Sequence, residues 1–130
     1  MYKATTHGIT VTAMPVYIDE RSEPEKDQHF WAYRICIRND SNQSVKLISR
    51  YWHISDSKGR WEEVRGEGVV GEQPELAQGE EYTYTSGCPL QSSSGMMVGS
   101  YQMKCANGKM LEIDIPAFPL DLPDHNPVVN

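Results

Sequence analysis

The sequence predicts an all-β domain, an antiparallel sandwich of six or seven strands. Three observations carry that reading. Apolar residues recur at every second position along most of the chain, turn-forming residues separate those runs at short intervals, and no segment carries a convincing amphipathic helix. The chain has 130 residues, enough to bury one core and too few for two, so residues 1–130 are read as a single domain.

The strands follow in order. Ile9 and Val11 alternate with threonines in the first. Trp31, Tyr33, Ile35 and Ile37 alternate with Ala32, Arg34, Cys36 and Arg38 in the second. Ile48, Trp52 and Ile54 share one face of the third, and Arg60 to Val64 form the next. Tyr82 and Tyr84 alternate with Thr83 and Thr85. Met97, Tyr101, Met103 and Cys105 share a face, and Leu111, Ile113 and Ile115 alternate with Glu112 and Asp114. Between them lie turn signals: Asn39-Asp40-Ser41-Asn42, Ser57-Lys58-Gly59, and Asn107-Gly108, whose residues tolerate the positive φ of a tight hairpin.

Three segments do not read as strands. Asp19 to Asp27 is charged, contains Pro24, and is expected to be a mobile acidic loop. Gly66 to Gly79 is rich in glycine and proline. From about residue 116 the prolines Pro116, Pro119, Pro123 and Pro127 predict an extended tail, with Phe118 and Leu120 packing back onto the domain.

Composition excludes several function classes. A hydrophobic fraction of 38% and a charged fraction of 23% describe ordinary globular material. A net charge of −6 repels phosphate backbones, so nucleic acid is not an expected partner. No apolar stretch reaches the roughly 18 residues of a membrane span. The N-terminal residues lack an apolar signal core, so a cytoplasmic location is expected, with no membrane partner. The cysteines, Cys36, Cys88 and Cys105, are odd in number and widely spaced. Without a C-x-x-C they suggest reduced thiols rather than a zinc ribbon or redox motif.

The most conspicuous motif is Gly66-Glu67-Gly68-Val69-Val70-Gly71, which has the letters of a dinucleotide fingerprint. That fingerprint works only when its glycines open a helix whose N-terminus holds a pyrophosphate. Here Glu72 to Gly79 is too short and too interrupted for that helix, and Glu67 and Glu72 put negative charge beside the site. A looser reading keeps Gly66, Gly68 and Gly71 as a loop whose amides could meet an anion, with Arg50, Arg60 or Arg65 supplying charge. The plainer reading is a long loop crossing one end of the sandwich. Arg50 points by alternation to the apolar side, either as a rim residue or as a buried, paired cation.

No catalytic constellation emerges. His7, His29, His53 and His125 form no H-x-H or H-E-x-x-H pattern, so no metal ligands are assigned. Ser86-Gly87-Cys88-Pro89 and Ser92-Ser93-Ser94-Gly95 lack the context of a nucleophile elbow. No cofactor and no catalytic residue are expected.

One resemblance covers nearly the whole chain. Phe30-x-x-x-Arg34-Ile35-x-Ile37-x-Asn39 is followed by Leu47-x-x-Arg50-x-Trp52-x-Ile54. Then come Val64-x-Gly66-x-Gly68-Val69-Val70-Gly71-Glu72-Gln73-Pro74-x-Leu76-x-x-Gly79-Glu80 and Tyr84-Thr85-Ser86-Gly87. Gly95-x-Met97-x-Gly99-x-Tyr101 and Ile115-Pro116-x-Phe118-x-Leu120 complete the order. This order resembles the bacterial ApaG family, also called CorD. The resemblance implies a sandwich of the fibronectin type III or immunoglobulin kind. It also implies a link to cobalt resistance and magnesium homeostasis without an established catalytic activity. Related domains in F-box and polymerase-interacting proteins look like protein-interaction modules. The family's glycine motif has been likened to pyrophosphate-binding sequences, which by position concerns Gly66, Gly68 and Gly71.

The expected function is therefore a non-enzymatic interaction module with a protein partner. The glycine loop, Arg50, Arg65, Tyr84 and Ser86 are its candidate contact surface. Binding or weak hydrolysis of a pyrophosphate-type anion, and direct binding of a divalent cation, are the alternatives. Exposed sheet edges leave room for a homodimer.

Overall fold

The computed structural model describes residues 1–123. Nine strands form it: β1 (Tyr2–Thr6), β2 (Ile9–Tyr17), β3 (His29–Asn39), β4 (Val45–Asp56), β5 (Trp61–Glu67), β6 (Glu75–Leu76), β7 (Glu81–Leu90), β8 (Gly95–Cys105) and β9 (Met110–Leu120). They make two antiparallel sheets, ordered β1-β2-β3-β7 and β5-β4-β8-β9, with the short β6 pairing to one end of β4. The period-two pattern thus becomes a β-sandwich. The count rises above seven because Tyr2–Thr6 and Glu75–Leu76 also pair. Both are too short or too polar to show alternation. Among the described residues no helix is long and apolar enough to cross a membrane.

The core is the inner face of both sheets. Trp31, Tyr33, Ile35 and Ile37 of β3 meet Trp52, Met97, Tyr101, Ile113 and Phe118 from the other sheet, all buried. Tyr33, Trp52 and Phe118 pack with ring centroids 5.4–5.9 Å apart, two of the three contacts edge-on. Asn39, expected to open a turn, is fully buried at the end of β3. Its amide donates to the carbonyls of Gln43 (2.7 Å) and Leu76 (2.9 Å), and its Oδ1 accepts from the Ser41 amide. One side chain thereby ties the β3–β4 turn to β6.

Two bulges change faces that plain alternation assigns. The β4–β8 register slips between Leu47 and Ser49. Val45 and Leu47 therefore face the core before the slip, Trp52 and Ile54 after it, and Ile48 is only half-buried. The β8–β9 register slips between Met97 and Gly99, which absorbs Pro116 and Ala117. A proline without an amide fits such a position.

That second bulge corrects the tail. Phe118 and Leu120 are fully buried, as expected, but they lie in β9, which continues through Leu120, rather than in a tail from Pro116. The tail begins after Leu120, where the Trp31 indole donates to the Asp121 carbonyl at 2.8 Å. Pro127 lies outside the described residues. The acidic segment is also more structured than expected. Two 3-10 turns, Asp19–Arg21 and Pro24–Lys26, are closed by a Glu23–Gln28 bridge.

Candidate functional site

The glycine segment leaves β5 and closes on itself. Gly66 stands opposite Arg50 in the β4–β5 register. An added Cβ there would lie 2.8 Å from the Arg50 guanidinium, so the glycine makes room for that cation. Arg50 Nη1 donates to the carbonyls of Glu67 (3.1 Å) and Gly68 (2.9 Å). Gly68 has φ +62°, and a Cβ would fall 2.2 Å from the Glu72 carbonyl oxygen. Val69 and Glu72 exchange reciprocal backbone bonds of 2.8 and 2.9 Å around Val70 and Gly71, at φ 43° and 83°. Two positive φ values in a two-residue loop are those of a type I′ hairpin, which normally excludes a β-branched residue such as Val70. Val69 plugs the core beneath.

This geometry accounts for all three glycines without a ligand, whereas Val70 holds its positive φ against the preference of a β-branched residue. The Gly68 amide donates to Ile48 (2.9 Å), and the Val69 and Glu72 amides bond each other's carbonyls. Strand β6, not a helix, comes next.

Of the remaining members of the expected contact surface, Arg50 stays with the loop and lines a shallow depression with Arg65, Gly66 and Glu67, whereas Tyr84 and Ser86 do not join them. Arg50 and Tyr84 point between the sheets. The Tyr84 hydroxyl is 2.5 Å from that of Tyr101, and burial pushes both phenols up, only partly opposed by the nearby Arg50 cation. Ser86 also faces inward, toward the Tyr33 hydroxyl. Arg65 lies on the opposite side of its strand, its guanidinium 4.5 Å over the Tyr51 ring. The four residues are therefore split between the core and the outer face of the β4–β5 pair.

A second region emerges at the other end of β5, where β5 and β7 leave the sandwich open. A cleft of about 630 Å³ lies there, lined by Arg21, Phe30, Ile54, Trp61, Pro89 and Leu90 among others. Trp61 is 64% exposed, unusual for so large an apolar side chain. It stacks on His53 with centroids 5.4 Å apart and planes 14° from parallel, which holds the indole at the mouth. Arg21 sits 4.0 Å over the Phe30 ring on the far wall. Arg60 is fixed by Asp56 (2.7 Å) and the Gln91 carbonyl (2.8 Å), bridging the β4–β5 hairpin to the end of β7.

Beside the cleft, the buried His29 bonds Tyr17 Oη through Nδ1 (2.8 Å) and Asp27 through Nε2 (3.1 Å). Lys58 contacts the same carboxylate, and its hydrogen bond holds the Asp27 carboxyl below the usual range. Asp56 is also held low. Burial alone would raise it, but the Arg60 and Lys58 amides and the Arg60 guanidinium outweigh that. These contacts join the acidic segment to the β4–β5 turn. Among the described residues no group of three or more His, Cys, Asp or Glu side chains is placed to hold a metal ion.

Trp61 is a site residue that the motifs of the sequence do not mark. The signal was present: a tryptophan on the Glu63–Arg65 face of an alternating strand, opposite to Val64. Convergence of β5 with Phe30 and Pro89 was not legible, because those residues are distant in sequence.

Comparison with known proteins fits this architecture. The ApaG domain family profile matches residues 19–105. Protein ApaG of Brucella canis is 54% identical over 130 residues, covering 100% of both chains. Protein ApaG of Brucella anthropi is 52% identical over the same span. Among solved structures, the putative ApaA protein from Bordetella pertussis superposes with a TM-score of 0.87 at 42% identity, covering 95% of this chain and 99% of that one. Motif order, full-length identity and superposed fold agree, and the chain belongs to the ApaG family.

Proposed function

We propose that this chain is a non-enzymatic binding module that engages a protein partner at the open end of its sandwich. Through that partner it acts in cobalt resistance and magnesium homeostasis, in the cytoplasm. One observation carries the reading: the exposed Trp61, held by His53 at the mouth of a cleft with apolar walls. Tryptophan is enriched among the residues that anchor protein interfaces, and one already held in place contributes large contact area at little entropic cost. The flanking ion pairs form a polar rim around it.

The alternative of a pyrophosphate-type anion at Gly66, Gly68 and Gly71 draws little support from a loop in which the Gly68, Val69 and Glu72 amides are already bonded. Affinity capture from the native cell, wild type against Trp61→Ala, tests the proposal. A partner enriched by the wild type and lost from the folded variant supports it. Equal recovery by both removes the cleft from the account. Calorimetric titration with cobalt separates this reading from direct cation binding: saturable, stoichiometric heat would favour the latter.

A further inference from the structure

Four strands end the two sheets: β1 and β7 in one, β5 and β9 in the other. An edge strand presents a row of unpaired N–H and C=O groups, which proteins usually cover or surround with charge. Three of these edges are protected. β1 and β9 lie against each other across the sandwich, and the Asp114 amide of β9 is capped by Thr6 Oγ1 at 3.2 Å. β5 carries Glu62, Glu63, Arg65 and Glu67. β7 is different: it runs 10 residues with a single charged side chain, Glu81, at its first position.

Its pairing with β3 decides which backbone groups are free. The Asn39 amide donates to the Glu80 carbonyl (2.9 Å), whereas the Phe30 carbonyl turns to the other side and accepts from Ile18 (2.9 Å). In an antiparallel ladder the N–H and C=O of one residue point the same way, and successive residues alternate. The pairs Ile37–Tyr82, Ile35–Tyr84, Tyr33–Ser86 and Trp31–Cys88 therefore exchange the ladder's hydrogen bonds. Glu81, Thr83, Thr85 and Gly87 direct theirs away from the sheet. Pro89 takes the next outward position, where a missing N–H leaves no ladder bond broken.

The geometry points to a second copy of this chain as the occupant of that edge. β7 pairs antiparallel with β7 of the second copy about a two-fold axis at Tyr84. Thr83 then lies opposite Thr85 of the partner subunit, and Glu81 opposite Gly87 of the partner subunit. Each of these outward amides finds a carbonyl, whereas moving the axis to Thr85 would set Glu81 against a proline. Opposed threonines are a favourable cross-strand pair. The two Glu81 carboxylates end up about 20 Å apart along the strands, beyond the screening length at physiological salt, so the strand meets its own copy without like-charge contact. An isologous contact of this kind closes as a dimer.

Size-exclusion chromatography with light scattering, over protein concentrations up to about 1 mM, tests this directly. The wild-type mass is expected to rise from 14.7 kDa toward twice that value. Thr83→Lys places an ammonium on each edge, and Thr85→Pro removes an amide that β3 does not use. Each variant, checked for native fold by circular dichroism, is expected to weaken association about tenfold or more. Thr83→Lys alone suffices if Thr85→Pro does not fold. A wild-type mass of 14.7 kDa at every concentration, or association unchanged in the folded variants, overturns the proposal.

Discussion

The two ends of β5 face opposite ways in chemistry. At its C-terminal end, the glycine loop bonds its own amides, receives Arg50 on two carbonyls and buries Val69. At its N-terminal end, Trp61 projects into solvent beside an open cleft. The first end carries the most distinctive motif of the sequence and the second carries none. The difference teaches that a motif can record a demand of the fold. Gly66 and Gly68 make room for Arg50 and the Glu72 carbonyl, and Gly71 supplies a positive φ, whereas the exposed end satisfies no such local demand and still holds an ordered tryptophan.

The comparison breaks most readily at Gly68. Gly68→Ala combines a positive φ with a 2.2 Å clash against backbone. Denaturant unfolding should show a loss of roughly 3–4 kcal/mol. A stable variant would mean that the loop can open, and would return its amides to an anion.

Asn39→Ala tests the neighbouring hub. It takes the Asn39 donor from the buried Leu76 carbonyl and unties the Gln43 carbonyl and Ser41 amide of the turn, and should cost about 2 kcal/mol by the same measurement. Trp61→Ala should change stability by less than about 1 kcal/mol, since only the stack on His53 is lost.

The open end also has a pH signature. Asp27 and Asp56 are held below their ordinary value of 3.8. A depressed carboxylate contributes stability above its unfolded pKa and loses it as pH falls through the folded one. Stability should therefore decline as the pH drops below about 3.8, and Asp56→Asn should flatten that decline in urea titrations repeated across acid pH. The smallest expected effect is on thiol chemistry. Burial pushes the Cys88 thiol up to about 12, while Cys36 is half-buried, so Cys36 should react first with a thiol reagent at neutral pH and Cys88 last.

Much of the fold was legible in the residues because a half-buried strand writes its burial as alternation. Trp31 to Ile37 read correctly for that reason. Ile48 did not, because the bulge between Leu47 and Ser49 shifts the face by one residue and leaves no mark in composition. Pro116 suggested an end to regular structure, yet it sits in a bulge where its missing amide is tolerated. The candidate site was less legible. Arg50's direction followed from alternation, but its carbonyl partners required the loop's path. Tyr84 looked available as a contact until its partner Tyr101, 17 positions away, was brought across the core.

The most direct test sets the two ends of β5 against each other. Partner capture from the native cell should be quantified for the wild type, Trp61→Ala and Val70→Ala, the last at the exposed tip of the glycine loop. Loss of the partner with Trp61→Ala and its retention with Val70→Ala is the predicted result. Loss with Val70→Ala and retention with Trp61→Ala would contradict the account and move the contact surface to the glycine loop.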